Sequence, residues 1–408
     1  MKKFSVLFSA VYVAAALTAT SAVAQTKPIR IGVPTAMQLQ VGRDTQDAVK
    51  MAIDDINAKG GVLGRKLEMV VADETEYPET GISAITKLTA DEKVDVLIGG
   101  YPSGVTLAQL PHISAAKTIY LGVGSASPAI QAKVKTDYDN YKYIFRVGPL
   151  NSAIQAAQLT DFISTFVKGE LGISKIAIVG ENATWVQGLA PLLQKGAAAA
   201  GVDVRMTEYF DSQTSDFSPL FSKVKQSGAQ YLIVILSHAS SDVFAKQWYD
   251  SRFPMPYGGI DVKSMDGDFC ERIGGKSVGE MAVNFAVRAP ITPKTVPFFD
   301  EFKKRTGRAP SVYTAFGAND AVYIYAEAVT RAKTIDANAV VKELEKTSYT
   351  GIPGIIEFDD THDVKPGTAT FKGPAYILAQ WRDKCTREVI YPKSMRTANF
   401  VYPSWIKK

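Results

Sequence analysis

The feature that most constrains this chain is the segment 47–100, in which apolar residues at helical spacing alternate with short apolar runs typical of strands. It begins with apolar residues at the spacing of one helical face, namely Ala48, Met51, Ala52, Ile56 and Leu63. Gly60 and Gly61 are expected to end this helix, because glycine takes the left-handed C-cap conformation without steric cost. Short apolar runs at 67–72 and 94–98 are typical of buried strands, and helix-length sequence separates them. The segment therefore predicts half of an open parallel sheet.

The same alternation of strand and helix occurs in two sets along the chain. The first set of predicted strands lies at 29–33, 67–72, 94–98 and 119–123. The second set lies at 176–179, 202–209, 231–236 and 281–286, with helical stretches at 153–166, 187–200 and 219–227. Alternation of this kind predicts a parallel sheet covered by helices on both faces. We therefore expect an α/β protein with two doubly wound parallel-sheet lobes.

The first 24 residues have the pattern of a secretory leader. Lys2 and Lys3 precede an apolar run at 6–17, and Ala22-Val23-Ala24 forms an A-x-A site. We expect cleavage after Ala24 and a periplasmic mature protein. A membrane anchor is the alternative, but the apolar run is short for a bilayer span. The residue directly after the cleavage site is not a cysteine, which argues against a lipoprotein.

Length, charge and cysteine content narrow the class of protein further. Cleavage after residue 24 of 408 leaves a chain too long for one hydrophobic core. Removing two leader lysines reduces the net charge from +5 to +3, which is too weak to indicate a nucleic-acid partner. Cys270 and Cys385 are the only cysteines. An exported protein can join them as a disulfide, and the sequence leaves open whether they meet.

Residues 52–73, AIDDINAKGGVLGRKLEMVVAD, resemble the opening of the type I periplasmic solute-binding proteins that serve branched-chain amino acid ABC importers. The resemblance covers about 28–395. It implies a Venus-flytrap fold with a three-segment hinge, matched here by 143–149, 285–288 and 351–358. The implied division is a lobe one of 25–146 plus 288–352, a lobe two of 147–287 plus 353–395, and a C-terminal tail of 396–408.

Two glycine-containing turns follow predicted strands of lobe one. The first, 99–104, includes Tyr101 and leads to a helix near Ser103. Free N–H groups at a helix start, together with a serine hydroxyl, make a natural carboxylate site. The second, 122–128, contains Gly124, Ser125 and Ala126 and places Ser127 as N-cap before Pro128. The alternative is that the serines only cap helices.

The resemblance assigns roles to these turns. In the amino-acid binders, a serine at the first turn holds the ligand carboxylate, and Ser103 matches it. Gly124 matches a small residue whose carbonyl contacts the ligand. Ala126 lies where those proteins have a threonine, so its hydroxyl is missing unless Ser125 or Ser127 replaces it. This departure from the family pattern counts against an α-amino acid ligand.

Lobe two is expected to supply three further contacts. Residues 181–188 resemble a D-x-x-Y-G loop of the family, and Trp185 takes its aromatic position; the alternative is a buried core tryptophan. His238 follows the next strand and can bond a carboxylate, or lie solvated in its loop. The family also uses an acidic residue against the ligand ammonium, for which Asp261 is the candidate and Asp266 the substitute. Either aspartate could instead cap a helix at 269–273.

The loop after the first strand of lobe one contains Gln40 and Arg43, and its family equivalent lines the cleft. Arg43 could pair with an anionic ligand, although an exposed surface arginine is the commoner outcome. Enzymatic function is not expected. The chain has three histidines and none of the common catalytic or nucleotide-binding motifs. Residues 122–127 form only an incomplete dinucleotide-binding motif, so we expect no nucleotide cofactor. We also expect no bound metal.

These observations together predict the periplasmic solute-binding component of an ABC importer. The expected ligand is a small carboxylate, either a branched-chain amino acid or a related acid, and the expected partner is the membrane permease. We expect the protein to act as a monomer. The alternatives are a binder of aromatic or other small organic acids on the same scaffold, an extracellular ligand sensor, and an exported hydrolase.

Overall fold

The structure is a computed structural model that describes residues 27–310, 313–368 and 370–407. The predicted signal peptide at 1–24 lies outside the described residues. Within these ranges, no helix combines the length and apolar content needed to cross a bilayer. The same ranges contain no group of three or more His, Cys, Asp or Glu side chains arranged to hold a metal ion.

In the described part of the chain, the N-terminal sheet (sheet one) has five parallel strands in the order β2-β1-β3-β4-β5. Its strands are β1 (Ile29–Thr35), β2 (Leu67–Asp73), β3 (Val96–Gly99), β4 (Ile119–Gly122) and β5 (Ile144–Arg146). The helices between them are α1 (Gln40–Ala58), α2 (Pro78–Thr86), α3 (Ser103–Ala115), α4 (Pro128–Thr136) and α5 (Tyr138–Tyr141). The four predicted strands are confirmed, and β5 is an additional strand at the first predicted crossing.

Among the described residues, sheet two has seven strands in the order β14-β13-β10-β9-β8-β6-β7. They are β6 (Lys175–Glu181), β7 (Asp203–Phe210), β8 (Tyr231–Leu236), β9 (Tyr257–Asp261), β10 (Met281–Asn284), β13 (Ile377–Trp381) and β14 (Arg387–Tyr391). The associated helices are α6 (Ser152–Phe162), α7 (Thr184–Ala199), α8 (Ser218–Gln226), α9 (Ser240–Asp250) and α10 (Phe269–Arg272). Strands β6 to β10 are parallel, whereas β13 and β14 add antiparallel strands. The sequence analysis predicted neither this antiparallel pair nor β9.

The chain between β10 and β13 returns to the side of sheet one. It forms α11 (Thr295–Thr306), α12 (Tyr313–Ala332) and α13 (Ala337–Leu344), and α12 packs along α1 and against β3. The antiparallel pair β11 (Ser348–Thr350) and β12 (Ile355–Glu357) follows and spans the predicted lobe boundary at 352/353. The predicted boundaries of the two lobes stay predictions.

The first helix ends at the glycine pair, as the sequence analysis predicted. Helix α1 stops at Ala58, and Gly60 and Gly61 have φ angles of +104° and +81°, so the chain leaves the helix there. Leu63 was expected on the apolar helical face, but this was wrong. It follows the helix, has a φ angle of +49° and is 44% exposed.

A buried ion pair joins the end of β5, in the first predicted crossing, to the segment 362–363 after β12. The Arg146 guanidinium donates to an Asp363 carboxylate oxygen at 2.9 Å and to the Ser127 carbonyl at 2.6 Å. The Arg146 N–H also donates to the His362 carbonyl at 2.9 Å. The His362 ring stacks on Phe145 with the ring centroids 3.9 Å apart. These contacts hold the end of β5 against the segment 362–363.

A disulfide with an S–S distance of 2.04 Å joins Cys270 and Cys385. It links α10 to the turn after β13, so the antiparallel edge of sheet two is tied covalently to its helical layer. The predicted C-terminal tail packs on the same lobe, where the Trp405 ring lies 5.1 Å from Trp248.

Candidate ligand-binding site

A cavity of about 220 Å³ lies between the carboxyl edges of the two sheets. In parallel sheets ligands bind at this edge, where the loops and helix N-termini meet. Sheet one contributes Glu76, Pro78, Tyr101, Pro102, Ser103, Gly104, Val105, Gly124 and Ala126. The segments around sheet two contribute Pro149, Gln155, Asn182, Ala183, Thr184, Trp185, Ser212, Ser237, His238, Ile260, Val262 and Phe285, and α12 contributes Tyr313.

Ser103 begins α3 and joins the two turns of sheet one. Its Oγ accepts hydrogen bonds from the N–H groups of Ala126 and Ser127, both at 3.1 Å. The hydroxyl proton therefore stays available as a donor to a ligand. No side chain caps the start of α3, since the N-cap residue is Pro102. The first N–H groups of this helix have no intrahelical partner and favour an anion.

Only glycine fits at position 124, because a Cβ there would lie 2.1 Å from the carbonyl oxygen of Gly100. The neighbouring Ser125 does not line the cavity. Its Oγ lies 2.5 Å from Thr106 Oγ1 and donates to the Tyr101 carbonyl at 3.1 Å, so it ties the turn to α3. Ser127 caps α4 by accepting the N–H of Ala129. Neither serine supplies the hydroxyl that Ala126 lacks.

Trp185 lies in the first turn of α7 and lines the cavity. It is 9% exposed and belongs to the hydrophobic core, so both roles considered from the sequence apply to the same residue. Its Nε1 donates to Ser237 Oγ at 3.2 Å. Helix α7 also begins without a side-chain cap, at Ala183. Two uncapped helix N-termini, one beside each sheet, therefore line one cavity.

His238 lies between two carboxylates. Its Nδ1 is 2.9 Å from Glu181 and its Nε2 is 3.7 Å from Glu76. Burial lowers the pKa of His238, but the hydrogen bond and charge of Glu181, with the charge of Glu76, raise it above its ordinary value. Burial raises the pKa of Glu181, but His238 and Ser237 hold it below its usual range. Both groups are thus stabilised in their charged forms.

The predicted ammonium partner, Asp261, is turned away from the cavity. It is 1% exposed, and its carboxylate accepts from Ser241 Oγ at 2.5 Å and from the N–H of Ser264 at 3.1 Å. It therefore accepts the first N–H groups of the short helix Lys263–Met265, and burial raises the pKa of Asp261 to about 6. The side chains of its neighbours Ile260 and Val262 line the cavity instead. Ile260 and Asp261 are successive residues of β9 and so point to opposite sides, whereas Val262 begins the helical turn that follows.

Asp266, the substitute candidate, is also absent from the described cavity lining; it is 3% exposed and burial raises its pKa to about 7. Gln40 and Arg43 lie in the first turn of α1 and line a separate surface depression with Arg308. Arg43 donates to the Gln38 carbonyl at 2.9 Å and to Gln40 Oε1 at 2.8 Å. These local bonds hold both side chains on the helix surface, so the structure does not bring them to the cavity.

The sequence analysis missed several residues of the lining. Glu76 follows β2 just as Ser103 follows β3, so the strand-end rule could have found it. Phe285 lies in the second predicted crossing but was not considered as a contact. Tyr313 begins α12 and donates to the Gly124 carbonyl at 3.4 Å, a contact across 189 positions that no local pattern indicates.

Comparison with protein families identifies the class of this protein. The model of the family described as "Periplasmic binding protein" matches residues 28–384. The chain belongs to the periplasmic binding protein family. The match includes all of sheet one, the strands of sheet two except β14, and the residues that line the cavity. The resemblance stated from sequence is therefore confirmed, as is the α/β fold with two lobes and mostly parallel sheets.

Individual relatives are distant but cover nearly the whole chain. The leucine-, isoleucine-, valine-, threonine- and alanine-binding protein of Pseudomonas aeruginosa is 25% identical over 370 residues, which cover 89% of this chain and 94% of that protein. The branched-chain amino acid transporter substrate binding protein LivJ of Streptococcus pneumoniae, solved with isoleucine, is 19% identical with a TM-score of 0.75, covering 90% and 100%. A solute binding protein of an ABC transporter from Rhodopseudomonas palustris, solved with 3,4-dihydroxybenzoic acid, is 19% identical with a TM-score of 0.72, covering 86% and 95%.

Proposed function

We propose that this protein is the solute-binding component of an ABC importer and captures a small carboxylate between its two lobes. The observation that carries this proposal is the meeting of two uncapped helix N-termini, α3 and α7, at one cavity that also contains the Ser103 hydroxyl. Helix N-termini favour anions because their first N–H groups are unpaired and the helix dipole is positive there.

The rest of the function follows from family membership and the leader. The protein works in the periplasm, the lobes close on the ligand by hinge motion, and the closed form delivers the ligand to a membrane permease. It acts as a monomer and performs no catalysis. The named binding functions of the relatives support the class of ligand, a branched-chain amino acid or a related acid.

Replacing Ser103 by alanine is expected to weaken ligand binding by about 1–3 kcal/mol, because a charged acceptor loses a buried donor. Isothermal titration calorimetry measures the change. Ser125→Ala is the matched control, since it removes a buried hydroxyl from the adjacent turn without altering the cavity lining. Folded Ser103→Ala protein that binds as tightly as the wild type would exclude Ser103 as the carboxylate contact.

A second candidate function is capture of an acid that lacks an ammonium group. The favouring observation is that Asp261 is engaged by Ser241 and by backbone N–H groups, while Ile260 and Val262 present apolar surface to the cavity. Ala126 also lacks the hydroxyl expected of an amino-acid binder. The Rhodopseudomonas palustris neighbour, solved with a dihydroxybenzoic acid, shows that this fold accommodates such a ligand.

Competition between leucine and 4-methyl-2-oxopentanoate separates the two ligand classes. These acids differ only in the ammonium or oxo group. We expect the oxo acid to bind at least about tenfold more tightly, because Glu76 of the described lining already faces His238 and a buried ammonium without a partner of its own is costly. Displacement of a bound probe by each acid gives the ratio, with 3,4-dihydroxybenzoate as a third competitor. Preference for leucine would assign the ammonium to Glu76, the acidic residue in the described lining, and Glu76→Gln would then abolish that preference.

A further inference from the structure

Two contacts cross the cleft independently of any ligand, and both end on the loop between β8 and α9. The Tyr101 hydroxyl donates to the Ser237 carbonyl at 3.2 Å. His238 Nε2 lies 3.7 Å from Glu76 Oε1. Tyr101 and Glu76 follow strands of sheet one, whereas Ser237 and His238 follow β8 of sheet two. These residues therefore connect the lobes when the cleft is closed.

Glu181 holds the sheet-two half of this connection. It ends β6, is 0% exposed, and its carboxylate bonds to Ser237 and His238 of the same sheet. One carboxylate oxygen accepts the N–H of His238 at 3.1 Å, and the other lies 2.9 Å from His238 Nδ1 and accepts the Ser237 hydroxyl. Three donor groups of Ser237 and His238 thus bond to one carboxylate, which fixes the orientation of the loop that contains them. We call Glu76, Tyr101, Glu181, Ser237 and His238 the interlobe clasp.

We propose that Glu181 is a positioning residue for ligand retention, fixing His238 so that the protonated imidazole pairs with Glu76 across the cleft and holds the lobes closed. The proposal rests on the proposed function, because retention requires that the ligand lies between the lobes. Beyond that function, the contact between His238 and Glu76 depends on protonation and joins the two lobes to each other rather than to the ligand. The clasp stabilises the closed form for whichever small carboxylate the cavity accepts.

The charges around His238 give the direction of the pH dependence. Glu181 at the end of β6 and Glu76 after β2 favour the imidazolium, and Lys263 on the short helix after β9 opposes it. Opening the cleft moves Glu76 away but leaves Glu181 in place, so closure raises the pKa of His238. Closure is then most favourable at acidic pH, and this stabilisation is lost as the pH rises through the pKa of His238 in the closed form. Ligand affinity should therefore fall as the pH rises.

The test measures the affinities of leucine and 4-methyl-2-oxopentanoate in parallel at about pH 6 and about pH 8, where both ligand carboxylates are ionised. The wild type should bind about threefold more weakly at the higher pH, the size expected for a partly exposed ion pair. Glu76→Gln and His238→Gln should show no such change. Glu208→Gln is the control for net charge, because Glu208 pairs with Lys223 on the outside of lobe two. A pH dependence in Glu76→Gln equal to that of the wild type would overturn the proposal.

A second measurement tests Glu181 without any ligand. The chain has three histidines, so nuclear magnetic resonance can follow each imidazole through a pH titration, and His238→Gln identifies the signal. Because the hydrogen bond and charge of Glu181 raise the pKa of His238, Glu181→Gln should lower the midpoint of His238 in the ligand-free protein. An unchanged midpoint would overturn the positioning role. If the wild type binds neither acid, the proposed ligand class fails, and the titration still decides the role of Glu181.

Discussion

Replacing Arg146 by methionine is expected to lower the free energy of unfolding by about 3–5 kcal/mol, because it leaves a buried carboxylate without its counter-charge. Arg146 is 2% exposed and Asp363 is 1% exposed. Burial already raises the pKa of Asp363 above its usual range, although the charge of Arg146 opposes that rise. The substitution also removes the donor to the Ser127 carbonyl at the second ligand turn.

Denaturant unfolding monitored by circular dichroism measures this loss. Without Arg146 the pKa of Asp363 rises further, so the deficit should grow between about pH 5 and about pH 8, where the unfolded carboxyl is ionised. The double variant Arg146→Met/Asp363→Leu is the control and should recover most of the stability, because a well-packed apolar pair often replaces a buried ion pair without loss. A single variant as stable as the wild type would show that the ion pair contributes nothing to the fold.

Replacing Trp185 by alanine is expected to have two large effects, because the side chain both lines the cavity and packs in the core. Loss of a buried tryptophan costs about 3–5 kcal/mol of stability. Ligand affinity per folded molecule should fall at least about tenfold, the equivalent of 1.4 kcal/mol, since the apolar wall and the fixed position of Ser237 are both lost. Unfolding curves and calorimetry on the folded fraction measure the two effects separately.

Trp248 provides the matched control for this experiment. It is 0% exposed in the core of the same lobe, and its Nε1 donates to the Met255 carbonyl at 2.9 Å. Trp248→Ala should destabilise the protein by a similar amount without changing the affinity per folded molecule. If Trp185→Ala behaves as this control does, Trp185 is a core residue only. Trp185→Phe, which keeps most of the apolar volume, should retain most of the stability.

The sequence predicted most strands and helices of the two sheets because their periodicities are local. A buried parallel strand needs a short apolar run, and an amphipathic helix needs one apolar face. Strand ends could be located for the same reason, which is how Ser103 was found. Trp185 and His238 were found through the resemblance to the family, and all three residues line the cavity. The strands β13 and β14 were missed because their antiparallel edge lies outside the alternating pattern.

Sequence by itself determined the fold class, the family and the edge of the sheets at which a ligand binds. Tertiary structure alone decided where individual side chains point. Asp261 faces Ser241 while Ile260 faces the cavity, because adjacent residues of a strand lie on opposite sides. It also decided which distant charges meet: Arg146 pairs with Asp363 across 217 positions, and His238 meets Glu76 across the cleft. Such pairs depend on how the lobes pack, and no local periodicity records that packing.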